Sequence, residues 1–317
     1  MTLALLFSPQ GSQVVGMGRE LSEHSRAART TFEEADLALG WPVSETCWAG
    51  PAERLDDTRQ TQPCLLTTSV AAHRALGERI DAEPSVVAGH SVGEYAALVA
   101  AGVLDFGAAL RLVARRAALM AAVDAEGGMA AVLGLDRDGV EAVVASIGRP
   151  TELVVANDNA PGQIVISGRR DALAAVEAPM RAAGAKRIVG LAVSGAFHSP
   201  LMAGVADGLA AAFEDEEWHD ARVPIISNVT AERLTDAQRL RALLAEQVRS
   251  PVEWVGSVER MVEEGIDLAV ECGSGVALIG MVKRIAPGMR TASVVDLASL
   301  QAAEELIRSG VAAPAPA

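Results

Sequence analysis

A chain of 317 residues is long enough for one large core with an inserted subdomain. Half of it is hydrophobic but only 3% aromatic, so Ala, Val, Leu and Gly must build the core; 27 basic against 41 acidic side chains leave a net charge of −14, which excludes nucleic acid as the main partner. The three cysteines, Cys47, Cys64 and Cys272, are too scattered for a disulfide framework or a metal site, and no apolar run is long and charge-free enough to span a membrane.

The segment Met1-Thr2-Leu3-Ala4-Leu5-Leu6-Phe7 lacks the basic leader and cleavage site of a signal peptide. With the cysteine usage it predicts a cytoplasmic protein whose residues 3–7 form a buried first strand. The loop Gln10-Gly11-Ser12-Gln13-Val14-Val15-Gly16-Met17-Gly18 has no lysine after its glycines and is not a phosphate-binding loop. Acidic and polar sequence continues to about residue 60, and Thr61-Gln62-Pro63 then opens a helix through Leu76, with proline near its start. Next, Val86-Val87-Ala88-Gly89-His90-Ser91-Val92-Gly93-Glu94 reads as an apolar strand, a Gly-x-Ser-x-Gly turn and a helix start, the layout of a nucleophile elbow. A turn this sharp needs glycine on both sides, since a Cβ would crowd it. The serine at its tip then faces the positive end of the new helix. A second helix covers Phe106 to Val123.

From about residue 125 to 193 the rhythm changes. Met129 to Leu135 reads as a strand, Asp138 to Ile147 as a helix, and Leu153 to Ala156 and Gln163 to Ser167 as strands around the turn Asn157-Asp158-Asn159-Ala160-Pro161-Gly162. A helix from Asp171 to Ala183 and a strand from Lys186 to Val193 complete the order βαββαβ, that of a ferredoxin-like unit. The predicted fold is therefore α/β: a hydrolase-like parallel-sheet core over 1–124 and 194–317, interrupted by a small subdomain at 125–193. The remainder reads as a helix Pro200 to Phe213, a strand Val223 to Ser227, helices Asp236 to Arg249 and Val255 to Glu264, and a strand Leu268 to Cys272. That strand enters Gly273-Ser274-Gly275 and a further helix, and the chain ends in a low-complexity, frayed tail at 312–317.

Serine needs a base. Of the five histidines, His24, His73 and His219 lie among charged or helical surface residues, and His90, inside the elbow, can line a site but is too close in sequence to be an easy base. His198 precedes Ser199, a plausible helix cap, and Pro200 at the first helical position. A helix N-terminus there keeps an imidazole neutral and ready to accept a proton; the other reading is a loop histidine without a role. Arg116 falls within the apolar stripe Leu112, Val113, Leu119, Met120 and Val123, whereas Arg111 and Arg115 point away. An inward arginine needs an anion: either a core carboxylate, or a substrate carboxylate gripped bidentately; a snorkelling side chain is the third possibility. Gly273-Ser274-Gly275-Val276-Ala277-Leu278 lacks the third glycine of a dinucleotide fingerprint and reads as a tight turn.

Taken together, Gly89-His90-Ser91-Val92-Gly93-Glu94-Tyr95, the Gln10-Gly11-Ser12-Gln13 loop, Arg116, the segment around His198 and Glu271-Cys272-Gly273-Ser274-Gly275 resemble the malonyl-CoA:acyl-carrier-protein transacylase family, in order, from residue 3 to about 300. The resemblance implies ping-pong transfer: Ser91 as nucleophile, His198 as base oriented by the backbone carbonyl of Gln247, the N–H groups of Gln10 and Val92 as oxyanion hole, and Arg116 on the malonyl carboxylate. Val92 and Phe197 match malonyl-preferring members, and a bulky Phe197 leaves little room for a branch methyl; His90 is expected to line the substrate site. One departure stands out: the family's Phe-Pro-Gly-Gln-Gly-Ser-Gln is here Phe7-Ser8-Pro9-Gln10-Gly11-Ser12-Gln13, so a proline, fixed in φ and without N–H, replaces a flexible glycine.

The implied partners are malonyl-CoA and an acyl carrier protein, with no cofactor, metal, nucleic acid or membrane. A carrier of acidic character would be repelled at long range by this chain, so Lys283, Arg284 and Arg290, or Lys186 and Arg187, are candidate docking cations. The pathway is fatty-acid or polyketide synthesis. The alternatives are an acyl-thioester hydrolase, the acyl-loading subunit of a malonate decarboxylase, and a non-catalytic carrier-binding protein.

Overall fold

The computed structural model describes residues 1–123, 126–193 and 195–311. The predicted tail and the boundary residues 124, 125 and 194 lie outside these. Among the described residues, ten strands form two sheets: β1 Leu3–Phe7, β2 Val86–Gly89, β3 Gly127–Leu133, β4 Leu153–Ala160, β5 Gln163–Arg169, β6 Arg187–Gly190, β7 Ile225–Ile226, β8 Arg233–Leu234, β9 Leu268–Cys272 and β10 Arg290–Val294. The larger sheet has six strands in the order β10-β9-β1-β2-β7-β8. All its neighbours are parallel except β7 and β8.

β1 is buried along its whole length because both faces are covered. Leu3, Leu5 and Phe7 face the helices Thr58–Gly77 and Phe106–Ala121, while Ala4 and Leu6 face the side of Trp254–Glu263 and Ala277–Ile285. The smaller sheet, of four strands in the order β4-β5-β3-β6, is antiparallel throughout. One face carries its own core, in which Val132, Val155, Ile164 and Ile166 pack with Val140 and Val176 of the helices Arg137–Ser146 and Arg170–Ala182. From its other face Met129 and Val165 join the main core. The two sheets meet where β4 pairs with the segment around Val252: Val252 N–H donates to Ala156 O at 2.9 Å, and Asp158 N–H to Val252 O at 3.0 Å.

Several predicted boundaries move. The helix expected from Thr61 begins at Thr58, because the Asp57 side chain accepts from the Arg59 N–H, and Pro63 lies inside it. The turn expected over 157–162 shrinks to Pro161-Gly162: β4 carries Asn157 and Asn159 along to Ala160, with register shifts that the polar pattern disguises. The sequence from 19 to 55, read as polar connection, holds the helices Arg19–His24, Arg26–Leu39, Val43–Ala49 and Ala52–Leu55. β8, β10 and the helix Leu297–Val311 were not anticipated. No helix among the described residues is long and apolar enough to cross a membrane.

Candidate active site

The C-terminal ends of β1 and β2 lead into a cavity of about 430 Å3 lined by Gln10, His90, Ser91, Phe197 and His198, and bordered by Met129, Asn157, Asn159 and Val165 of the smaller sheet. Ser91 stands between β2 and the helix Gly93–Ala100 with φ 54°, a left-handed conformation that is costly for a residue with a Cβ. Its surroundings force it: a Cβ on Gly89 would lie 2.0 Å from the Gly93 backbone, and one on Gly93 would lie 2.2 Å from Phe7 O. The Ser91 N–H donates to Asn228 Oδ1 at 2.7 Å, and Asn228 Nδ2 donates to Gly89 O at 2.6 Å, which holds the turn from outside.

His198, also left-handed at φ 56°, is locked at its backbone by donation to Val248 O and at its ring by the Gln247 and Ser250 carbonyls. A carbonyl only accepts, so Nδ1 carries the proton that goes to Gln247 O at 2.8 Å. In the neutral ring Nε2 is then the acceptor, and it lies 2.8 Å from Ser91 Oγ. Burial, and then the charge of Arg116, lower the His198 pKa to about 3. Ser199 caps the following turn as expected, accepting from the Leu201 N–H. His90 donates to Asn159 Oδ1 at 2.8 Å across the sheet junction, and burial lowers its pKa to about 4. His24 and His219 are exposed, but His73 is not a surface residue: its ring meets the Phe7 edge at 5.9 Å, and burial, followed by the Arg74 charge, lowers its pKa to about 4.

Arg116 is 1% exposed. It donates to Gln62 Oε1 at 2.7 Å, Ser91 Oγ at 3.0 Å and Gln247 Oε1 at 3.1 Å, with its guanidinium 5.9 Å from the Tyr95 ring centroid. All three acceptors are neutral, and among the described residues no carboxylate lies within ion-pair distance. Of the three sequence readings, the snorkelling side chain is thus removed by burial, and a direct core ion pair is not formed: the buried carboxyl of Glu94 reaches Arg116 only through Gln247. Gln247 binds the parts together: its Nε2 donates to Ser91 O and to Glu94 Oε2, its Oε1 accepts from Arg116, and its backbone carbonyl orients His198. Glu94, buried, has a pKa raised to about 7 by desolvation, against the opposing pull of Gln247, Asn228 and Arg116. Glu94, Asn228, Asn159 and Gln62 were not singled out as site residues. Only Glu94, at the end of the Gly-x-Ser-x-Gly run, had a sequence signal.

Gln10 reaches the cavity on a turn formed by Pro9-Gln10-Gly11-Ser12, closed by Ser12 N–H to Pro9 O and requiring Gly11 at φ 98°. The N–H groups of Gln10 and Val92 donate in none of the hydrogen bonds that hold these turns. The Val92 side chain is packed in the core, whereas Phe197 lies on the cavity wall. Of the docking cations, Lys283 and Arg284 are exposed on the helix whose Met281 lines the cavity, and Arg284 donates to Gln163 Oε1 and Pro161 O. Arg290 pairs with Asp267 and opens β10 beside Leu268, at the opposite end of the strands from the cavity, which removes it from that patch.

A serine at a strand-to-helix bend, an imidazole accepting from its hydroxyl, and a cavity above both are the parts of a serine acyl-transfer catalyst on an α/β fold. The acyl transferase domain model matches residues 4–295, and the chain belongs to that family. Within it the similarity is to the malonyl-CoA:acyl-carrier-protein transacylases. The malonyl CoA-acyl carrier protein transacylase of Bacillus subtilis is 40% identical over 309 residues, covering 96% of this chain and 97% of that one. Its counterpart in Haemophilus influenzae is 39% identical over 307 residues, covering 96% and 98%. The crystal structure of an acyl-carrier-protein S-malonyltransferase from Burkholderia pseudomallei superposes with a TM-score of 0.93 at 38% identity, over 96% of this chain and 100% of that one. A malonyl-transacylase solved in complex with its type II PKS acyl-carrier protein gives 0.93 at 39% identity, with the same coverage.

Proposed function

We propose that this chain moves a malonyl group from malonyl-CoA to the phosphopantetheine thiol of an acyl carrier protein, through an acyl-Ser91 intermediate, in fatty-acid synthesis. The observation that carries this reading is the buried Arg116, 3.0 Å from Ser91 Oγ and held only by neutral oxygens. A buried cation with no carboxylate in direct contact, its nearest acid Glu94 reaching it only through Gln247, is left ready for an anion to arrive. One methylene separates the two carboxyl carbons of malonate, so a malonyl ester on Ser91 brings a carboxylate to this guanidinium, which its fork can grip with two hydrogen bonds. We read the Ser91 turn as a nucleophile elbow, residues 1–124 and 194–317 as a hydrolase-like core, and 125–193 as a ferredoxin-like insert that roofs the cleft.

Ser91 Oγ attacks the thioester carbonyl as His198 Nε2 takes its proton. The N–H groups of Val92 and Gln10 hold the oxyanion, and the Val92 N–H sits at the positive end of a helix. Collapse breaks the C–S bond, and the imidazolium returns its proton to the departing CoA sulfur. The carrier thiol then gives its proton to His198 and attacks the acyl ester, and Ser91 leaves with that proton. Gln247 O steadies the imidazolium in both halves, so no carboxylate is needed behind the histidine. Thioester exchange is nearly balanced in energy, so positioning and oxyanion stabilisation supply the rate. A general acyl-thioester hydrolase has no use for a guanidinium at this distance from the serine. Mixing the protein with malonyl-CoA and then with carrier protein tests the reading by intact mass: one malonyl group is gained and then lost to the carrier. A protein that takes up no malonyl group, or passes it only to water, contradicts it.

The acid limb of the loading step follows from His198. An imidazole titrating at its ordinary 6.5 would be about 97% protonated at pH 5, and as a base would lose that share of its activity. Lowered to about 3, the ring stays neutral and competent far into acid. Glu94, which titrates near 7, touches neither Ser91 Oγ nor the ring. The single-turnover rate of Ser91 malonylation is expected to change less than about threefold between pH 8 and pH 5. A sigmoidal fall centred near 6.5 contradicts this.

A further inference from the structure

The Gln10 N–H is useful to an oxyanion only if its peptide plane is turned the right way, and the plane has a handle. In a trans peptide the N–H and the preceding C=O point in opposite directions, so whatever holds Pro9 O aims the Gln10 N–H. Ser12 holds it: its Oγ donates to Pro9 O at 2.6 Å, besides the Ser12 N–H at 3.4 Å. Ser12 is in turn tied to the turn after β9, where its Oγ lies 3.1 Å from Ser274 Oγ and Ser274 Oγ donates to Ser12 O at 2.9 Å. The strand before the turn supplies a second tie. Ser8 Oγ donates to Glu271 Oε1 at 2.9 Å, and the other carboxylate oxygen accepts from the Ile279 N–H at 3.0 Å. Proline stiffens φ at position 9 but leaves the next peptide free to rotate about its own ψ.

We propose that Ser12, backed by Ser274, is a positioning residue for the reaction: it fixes the Pro9–Gln10 peptide plane so that the Gln10 N–H faces the cavity above Ser91. The Ser8–Glu271 bond holds the same loop one residue upstream. Neither serine touches the reacting atoms. Their contribution is realised in the transition state, where the oxyanion forms, and so falls on kcat and not on substrate affinity. This rests on malonyl transfer through acyl-Ser91 with Gln10 as one oxyanion donor.

The experiment measures malonyl loading of Ser91 in single turnover for Ser12→Ala, Ser12→Thr and Ser274→Ala in the full chain. Removing an oxyanion donor outright costs about 10²–10³-fold, and loosening one costs less. Ser12→Ala is expected to lower the maximal loading rate about 10- to 50-fold, with the malonyl-CoA concentration at half-maximal rate changed less than about twofold. Ser12→Thr keeps the hydroxyl and is expected to recover most of the loss. Ser274→Ala, which removes only the bond to the Ser12 carbonyl, is expected to lose less than Ser12→Ala. A loss carried by substrate affinity, a Ser12→Thr no better than Ser12→Ala, or wild-type rates for Ser12→Ala overturns the proposal. If the wild-type protein takes up no malonyl group, the underlying reading has failed instead; if it loads and the Ser12 variants behave alike, only the positioning role has. Ser12 is part-exposed and outside the main core, and thermal melts of the variants within a few degrees of wild type confirm that rates are compared on one fold.

Discussion

Ser91→Ala is expected to gain no malonyl mass at any time or concentration, and His198→Ala to load at least about 10³-fold more slowly than wild type. The two effects have different origins. Alanine at 91 removes the only atom that can carry the acyl group, while the left-handed backbone, which serine already tolerates at φ 54°, is no worse for alanine. The variant should therefore melt close to wild type and be inert. Alanine at 198 leaves the hydroxyl in place but with water as its only base, and also leaves the Gln247 and Ser250 carbonyls without their imidazole donor. His198→Ala should for that reason be destabilised by about 1–3 kcal/mol, whereas Ser91→Ala should not. Quench-flow with intact-mass detection gives the loading rates, and urea unfolding gives the stabilities. A His198→Ala rate within tenfold of wild type would show that another group takes the Ser91 proton.

What the sequence made legible follows physical lines. Strands β1, β2 and β9 of the parallel sheet are runs buried along their whole length, and the strand–serine–helix turn is written in two glycines whose Cβ atoms would collide with backbone. Arg116 was visible because a charge inside an apolar stripe is locally inconsistent, and such inconsistencies gather at sites. Asn228 and Gln62 were not visible: each is a single amide in ordinary surroundings, and each matters only because the fold brings it to the Ser91 N–H or to Arg116, far away in sequence. Asn157 and Asn159 were misplaced into a turn for the opposite reason. Polar residues in a strand imitate a loop unless the strand is known to face a polar cavity. His73 was set aside as lying among charged or helical surface residues, but the burial of one face of a helix is decided by what packs there, here Phe7.

Arg116→Ala is expected to invert acyl preference. Two hydrogen bonds from a buried guanidinium to a carboxylate are charge-assisted, and their loss should lower kcat/KM for malonyl loading by about 10²–10³-fold. Acetyl-CoA has no free carboxylate, so it loses none of the charge-assisted bonds that malonyl loses, only the bracing that Arg116 gives Ser91 Oγ and Gln247. Acetyl loading should be largely spared, because the space left by the side chain is no longer filled by an unpaired cation. The effect on the base runs the same way. The Arg116 charge is the second cause, after burial, of the low His198 pKa. Removing it raises that pKa and makes the imidazole a stronger acceptor, while still keeping it neutral at pH 7. The stronger base offsets the loss of the Arg116 hydrogen bond to Ser91 Oγ, so acetyl loading is expected to fall far less than malonyl loading. Arg116→Lys, which keeps the charge but not the planar fork, should fall between the two for malonyl. The measurement is intact mass after each acyl-CoA at matched concentrations. If malonyl and acetyl loading fall in parallel, Arg116 serves only to brace Gln62 and Gln247, and the chain has some other means of choosing a dicarboxylic acyl group.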